Sequence, residues 1–290
     1  MPKQFNGEFT YNKIIVIQGL PEGEYQTGLR LAYDELNPIC GQYNMGLDFI
    51  KVINITGLIE SLKELEIECK NINKPIYPIL HLDIHGASDK SGLVVLPSTE
   101  ILKWSEFANY CRAINLACKN NLVIFMSVCY GLHAIRAISI NHLTPFYALI
   151  GSEQIVNVGF LQSNIPKFYN SLFENSNLIR AVNQITPTFK LFLCEKHFVI
   201  SIYKYLKKYC KGKGRKKRVE FLLSIYRKLN SEMKDITTDR NQFKKMTKAE
   251  KLNFIRYKNA YLLSNHPENL QRFNFSLDDI IELILLTNHN

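Results

Sequence analysis

An α/β fold is predicted for residues 1–195: a mostly parallel six-stranded sheet flanked by helices, followed by a basic, all-helical C-terminal extension over 196–290. Three observations predict it. Strand and helix signals alternate through the first 195 residues, the order that builds a parallel sheet covered on both sides. Several strand segments are near-continuous apolar runs, as strands buried on both faces must be. From residue 196 onward the strand signals stop and only helical spacings continue.

KIIVIQGL (13–20) is the first apolar run and ends at a Gly-Pro-containing turn. In GEYQTGLRLAYDEL, Leu29, Ala32, Tyr33 and Leu36 recur at helical spacing, and Asn37-Pro38 is expected to stop the helix. LDFIKVIN (47–54) reads as strand two, SLKELEIECK as an amphipathic helix, and IYPILHLDIHG (76–86) as strand three, ending at Gly86. GLVVLP (92–97) is a short extension. WSEFANYCRAINLACK (104–119) is a helix with Phe107, Cys111, Ile114 and Cys118 along one stripe. NLVIFMSVC (121–129) is strand four, Gly131 marks its turn into the helix LHAIRAIS, and FYALIGS (146–152) is strand five. Two helices, NVGFLQSNIPKFYNSLFEN and LIRAVNQIT, precede strand six, TFKLFLC (188–194). The extension holds HFVISIYKYLKKYC, VEFLLSIYRKL, KAEKLNFIRYKNAYLL and SLDDIIELILL, the last with Ser276 placed to cap and Asp279 three residues on.

The 290 residues suit one large domain with an appendage, and 46% hydrophobic with 21% charged residues excludes wholesale disorder, collagen and coiled coil. The longest apolar stretch, Leu122 to Ile135, contains Ser127, Gly131 and His133, so no transmembrane segment is expected. Seven cysteines without a Cys-x-x-Cys pair fit reduced thiols, and a soluble, cytoplasmic chain is expected. The formal charge of +10 is uneven: residues 1–189 carry net −2 and residues 190–290 net +12. Its densest part is 204–218, with Lys204, Lys207, Lys208, Lys211, Lys213, Arg215, Lys216, Lys217 and Arg218 and no acid between them. That stretch reads either as a solvated helix end with a Gly-Lys loop or as a dock for an acidic partner, nucleic acid or an anionic surface.

Ligands of open parallel sheets bind beyond the carboxyl ends of the strands. Strand three ends in His85-Gly86 and strand four in Cys129-Tyr130-Gly131, with His85 and Cys129 44 residues apart and one helix between. A right-handed crossover puts both ends on one sheet edge, where the thiol can attack a carbonyl and the imidazole can protonate the leaving amine. The backbone N–H groups of Gly86 and Cys129 can then form an oxyanion hole, glycine allowing the close approach. The competing readings are structural. Cys129 can be packing on a core strand, and His81 a satisfied core histidine. His81, Asp83 and His85 share a face by period two, so a His/Asp/His/Cys metal site is the weaker alternative, with Asp83 otherwise holding one of the histidines. His133 is the rival catalytic base, and Glu153 either favours a basic substrate residue or caps a helix. Gly19, Gly23 and Gly28 form neither GxGxxG nor a Walker loop, so no cofactor and no metal are expected.

The run ILHLDIHG, then NLVIFMSVCYG after one helix, then PFYALIGSE and a helix with FYNSLF, resembles the caspase-like cysteine peptidases of the caspase–hemoglobinase fold. Within that group it is most similar to bacterial CHAT-type domains, over about residues 10 to 195. The resemblance implies a cysteine protease, a hydrolase acting on a protein substrate, with His85 as catalytic histidine and Cys129 as nucleophile. It also implies Gly86 and Cys129 as backbone oxyanion donors and Ser127 as lining the specificity pocket. Caspases carry Gln and metacaspases Asp at the Ser127 position, so neither specificity for Asp nor for Arg/Lys follows. Only 131–145 separate Gly131 from the next strand, so maturation by cleavage of a long linker is not expected. By analogy the setting is prokaryotic defence or regulated cell death. A catalytically silent scaffold and a nucleic-acid binder are the alternatives.

Overall fold

The computed structural model describes residues 5, 7–210, 212–229, 236–247 and 251–287. Its centre is a mixed, mostly parallel sheet with strand order β2-β1-β3-β6-β7-β8. The strands are β1 (Lys13–Gly19), β2 (Gly46–Lys51), β3 (Pro78–Gly86), β6 (Val123–Met126), β7 (Ala148–Gly151) and β8 (Lys190–Leu193). A small antiparallel ladder, β4 (Gly92–Val94) with β5 (Ile101–Lys103), extends the outer end of β3. Five of the six main strands run parallel; the sixth, read from 188–194, is β8, an antiparallel edge on β7. Antiparallel edges on parallel sheets are common, and sequence runs do not encode direction.

The strand runs are apolar because both faces are covered: Ile14, Val16, Ile17, Leu80, Leu82, Ile124 and Phe125 are fully buried or nearly so. Each such side chain stabilises the fold by roughly 1.5–3 kcal/mol relative to exposure. Helices α3 (Ile55–Cys69) and α4 (Trp104–Ala117) pack together, and the expected stripe Phe107, Cys111, Ile114 and Cys118 is buried. The other layer joins α5 (Val158–Asn175) to the helical stretch after β1. That stretch does not stop at Asn37-Pro38. It passes from α1 (Thr27–Arg30) through a π turn (Leu31–Leu36) into α2 (Asn37–Gln42), with Pro38 in the first turn of α2. A proline at a helix start withholds an N–H that has no partner anyway, and the wider turn before it absorbs the ring.

Asparagines start three helices by local chemistry: Asn54 accepts from Gly57 N–H, Asn157 from Gly159 N–H, both at 2.8 Å, and Asn177 from Arg180 N–H at 2.9 Å, before α6 (Leu178–Asn183). The segment LHAIRAIS is a 3₁₀ helix (Gly131–Ala137) and not an α-helix.

The extension is helical in its described residues: α7 (Cys194–Tyr205) with a π turn (Leu206–Cys210), α8 (Gly212–Leu229), α9 (Ile236–Met246), α10 (Lys251–Leu262) and α11 (Leu277–Thr287). The expected start of α10 at 248–250 lies outside the described residues, as does Lys211. Ser276 and Asp279 form the reciprocal cap: Asp279 N–H donates to Ser276 Oγ at 3.2 Å and Ser276 N–H to Asp279 Oδ2 at 2.6 Å. One expectation is corrected: the Gly-Lys loop is not a loop, since Gly212 to Arg218 form the first turns of α8. The extension packs on the core of the sheet. Tyr261, Leu262, Phe273, Phe275 and Leu277 are buried in the same cluster as the sheet. Thr144 N–H donates to Tyr261 O at 3.0 Å, Asn120 Nδ2 to Leu262 O at 2.8 Å, and Arg272 lies 4.5 Å over the Tyr147 ring. A helix whose apolar face has nothing else to cover packs onto the nearest exposed apolar layer, and here that layer is the β7–β8 side.

No helix among the described residues is long and apolar enough to cross a membrane.

Candidate active site

β1 sits between β2 and β3, so successive connections leave it in opposite directions and a crevice opens at the carboxyl ends of β1 and β3. The register of β3 on β6 runs Ile79↔Val123 to Leu82↔Met126, an offset of 44, and Ser127 N–H still donates to Leu82 O at 2.9 Å. Cys129 lies in the turn that follows β6, and His85 in the part of β3 that pairs with β4. Contact between the two segments is direct. A Cβ placed on Gly86 would lie 1.9 Å from the carbonyl oxygen of Cys129, so any larger residue at 86 would push the segments apart. Ala87 N–H donates to Gly92 O at 3.0 Å, and by antiparallel alternation Gly86, opposite Leu93, points its own N–H away from β4.

The turn carrying Cys129 is held by the loop after β7. Tyr130, in the left-handed region at φ 61°, donates to Gln154 O at 3.1 Å, and Leu132 N–H donates to Ser152 O at 3.0 Å. Cys129 Sγ accepts from Val156 N–H at 3.4 Å. All seven cysteines are free, and Cys129 is partly exposed where Cys40, Cys69, Cys111, Cys118 and Cys194 are buried. Burial pushes the Cys40 thiol up to about 11 and those of Cys118 and Cys194 up to about 12, which leaves them inert as nucleophiles near neutrality.

His85 is one-third exposed, and its Nε2 faces Glu24 Oε2 at 2.9 Å. Glu24 lies in the β1–α1 loop, and sequence reasoning missed it; the usable signal was an acid at the mouth of the crevice that the strand order opens. Asp83, the expected holder of a histidine, does something else. Its carboxylate accepts from Thr27 Oγ1 at 2.7 Å and from Gly28 N–H, closing the start of α1, while Leu29 N–H donates to Gln18 Oε1 at 2.8 Å. Two strand residues thus supply the cap that Gln26 lacks. Burial pushes Asp83 up to about 6, against the pull of those two hydrogen bonds.

Ser127 is buried, with Oγ 3.0 Å from His81 Nε2; His81 Nδ1 is 3.0 Å from Tyr169 OH on α5, and the imidazole stacks on Phe125. Both ring nitrogens of His81 are therefore occupied by hydroxyls, and burial drives its pKa down to about 3. Among the described residues no cluster of His, Cys, Asp and Glu is arranged to hold a metal. A cavity of about 40 Å³ lies against this row, lined by Thr27, Asp83, His81, Ser127, Gln162 and Pro166 among others. Pro166 has no N–H for the carbonyl of Gln162, one turn earlier in α5, and that gap in the helix ladder falls at the cavity wall.

Glu153 is not part of the cavity wall. It is exposed and ion-paired with Lys190 across the β7–β8 edge, which holds its carboxyl below the ordinary range. His133 packs edge-on to Tyr130 at 6.1 Å, and burial, Arg136 and Lys90 lower its pKa. The structure thus sets Gly86 against Cys129, faces His85 with Glu24, places Ser127 against His81, and leaves Glu153 apart. No protein-family model matches the chain, and no curated protein does.

Proposed function

We propose that the chain is a caspase-like cysteine endopeptidase acting on a protein substrate. The observation that carries the reading is the close approach of the two segments, with Gly86, next to His85, pressed against the Cys129 carbonyl. Cys129 Sγ attacks the scissile carbonyl carbon, and the oxyanion that forms accepts from the N–H groups of Gly86 and Cys129. His85 takes the thiol proton of Cys129 and gives it to the departing amine as the C–N bond breaks; it then takes a proton from the water that hydrolyses the thioester and returns it to the released sulfur. The Glu24 carboxylate, 2.9 Å from Nε2, pairs with the imidazole when the ring is protonated, which leaves Nδ1 for the substrate. The Ser127 hydroxyl is engaged by His81 and the adjoining cavity is small, which supports selection by shape and hydrogen bonding over an ion pair from that position. Seven free thiols support a reducing, cytoplasmic setting.

The test is covalent. A peptidyl chloromethyl ketone with a fluorescent tag should label the wild-type protein at Cys129, as read by peptide mass mapping. Labelling should vanish in Cys129→Ala and fall sharply in His85→Ala. Equal labelling of Cys210, the other half-exposed thiol, would show that exposure alone directs the reagent and would sink the reading.

A further inference from the structure

We propose that the crossing of the α7 end with α8 is a binding groove for single-stranded nucleic acid. Gly214 makes the crossing possible. A Cβ there would lie 1.9 Å from Lys208 O, so the start of α8 can rest on the preceding π turn only without a side chain. The two segments then form the walls of a groove of about 610 Å³, with Tyr205, Lys208 and Tyr209 on one side and Lys213, Lys217 and Phe221 on the other.

The lining has two chemistries, and both point to one ligand. The cations Lys208, Lys213 and Lys217 are exposed. Between Glu195 and Glu232 the sequence has a single acid, Glu220, and it is turned to Arg240 at 2.8 Å. Phe221 presents an open ring at 63% exposed, while Tyr205 at 41% and Tyr209 at 37% each have a cation over one face. Phe221 serves no core, because α8 is anchored by Val219 and Leu223, both buried. Cations already sit at these rings, Lys208 4.9 Å over Tyr209 and Arg218 5.3 Å over Tyr205.

Cations spaced along a groove track a phosphate backbone, and open aromatic faces take unpaired bases by stacking. A duplex hides its base faces and would use the lysines alone. A bilayer needs a convex apolar face, whereas these rings line a concavity. Arg215 is not among the binding groups, since it clamps α8 to α9 through Lys244 O at 2.5 Å and Thr247 Oγ1 at 3.4 Å.

The experiment measures fluorescence anisotropy of labelled oligothymidylate and oligouridylate of about 20 nucleotides, at two salt concentrations. The duplex of the thymidylate with its complement and phosphatidylserine vesicles serve as the other arms. Single strands should bind more tightly than the duplex, with a logarithmic salt slope of about −0.7 for each phosphate neutralised. Phe221→Ala should weaken single-strand binding about tenfold and leave duplex binding within twofold. Lys213→Glu with Lys217→Glu should weaken both, and Gly214→Ala should do so with every cation retained. Thermal unfolding of each variant identifies any that fails to fold, and Tyr209→Ala then replaces it. Preference for vesicles, equal affinity for duplex and single strand, indifference to Phe221→Ala and Tyr209→Ala, or no binding at low salt would each overturn the proposal.

Discussion

His81 and His85 lie four residues apart on one face of β3, and their surroundings are opposite. At the inner position the ring is 1% exposed, stacked on Phe125 and fixed by two hydroxyls, and burial keeps it neutral. At the outer position the ring is one-third exposed, meets a carboxylate, and stands beside the turn that carries a half-exposed thiol. Depth along one strand therefore separates a packed histidine from a solvent-accessible one that faces a carboxylate. Asp83, between them, follows the same rule: buried, it closes the start of α1, while the exposed Glu24 faces the imidazole.

The largest test of that contrast is His85→Ala, which should lower peptide cleavage at least about a thousandfold with the unfolding temperature unchanged. The double variant with Cys129→Ala should be no worse than either single change, since groups acting as a unit are not additive. An independent, multiplicative loss would break the pairing. Gly86→Ala comes next. The added methyl meets the Cys129 carbonyl, so cleavage should drop about a hundredfold and the midpoint of urea unfolding should fall by the equivalent of about 1–3 kcal/mol.

Glu24→Gln should be milder, about tenfold in kcat with KM within twofold, because the contact orients a proton donor and touches no substrate. An equal rise in KM would place Glu24 in substrate binding. Glu24→Asp, which keeps the charge on a shorter stem, should restore part of the rate.

The smallest effect concerns stability and pH. The folded pKa of His81, about 3, lies below its ordinary 6.5, so its contribution is present above pH 6.5 and is lost as pH falls toward 3. Asp83 has the opposite sign: about 6 when folded against an ordinary 3.8, its contribution is full below 3.8 and is lost as pH rises through 6. Between these limits the two offset, and the wild-type urea midpoint should change little from pH 6 to pH 4. Removing one partner exposes the other: His81→Gln should gain stability on acidification and Asp83→Asn should lose it, each by at most about 1.4 kcal/mol per pH unit. Parallel curves for the two variants would show that neither buried group titrates as its surroundings require.

Local physics made much of this molecule legible. Apolar runs marked the strands within a few residues, because a strand covered on both faces takes a polar side chain only where a buried partner satisfies it, as at Gln18, His81 and Asp83. Ser276 caps its helix with a group three residues away, so that bond was visible in the chain itself; the caps at Asn54 and Asn157 are equally local but were seen only in the structure. That β6 follows β3 in the sheet was legible because a short crossover fixes which strand comes next. Other features depended on contacts that no spacing encodes. Glu24 meets His85 across 61 residues, Asp83 reaches Thr27 across 56, and Tyr261 meets Thr144 across 117; the antiparallel direction of β8 is of the same kind. The basic stretch shows the division most plainly. Its charge could be counted in the sequence, but the groove exists only because Gly214 lets two backbones touch, and approach between surfaces is decided by packing in three dimensions.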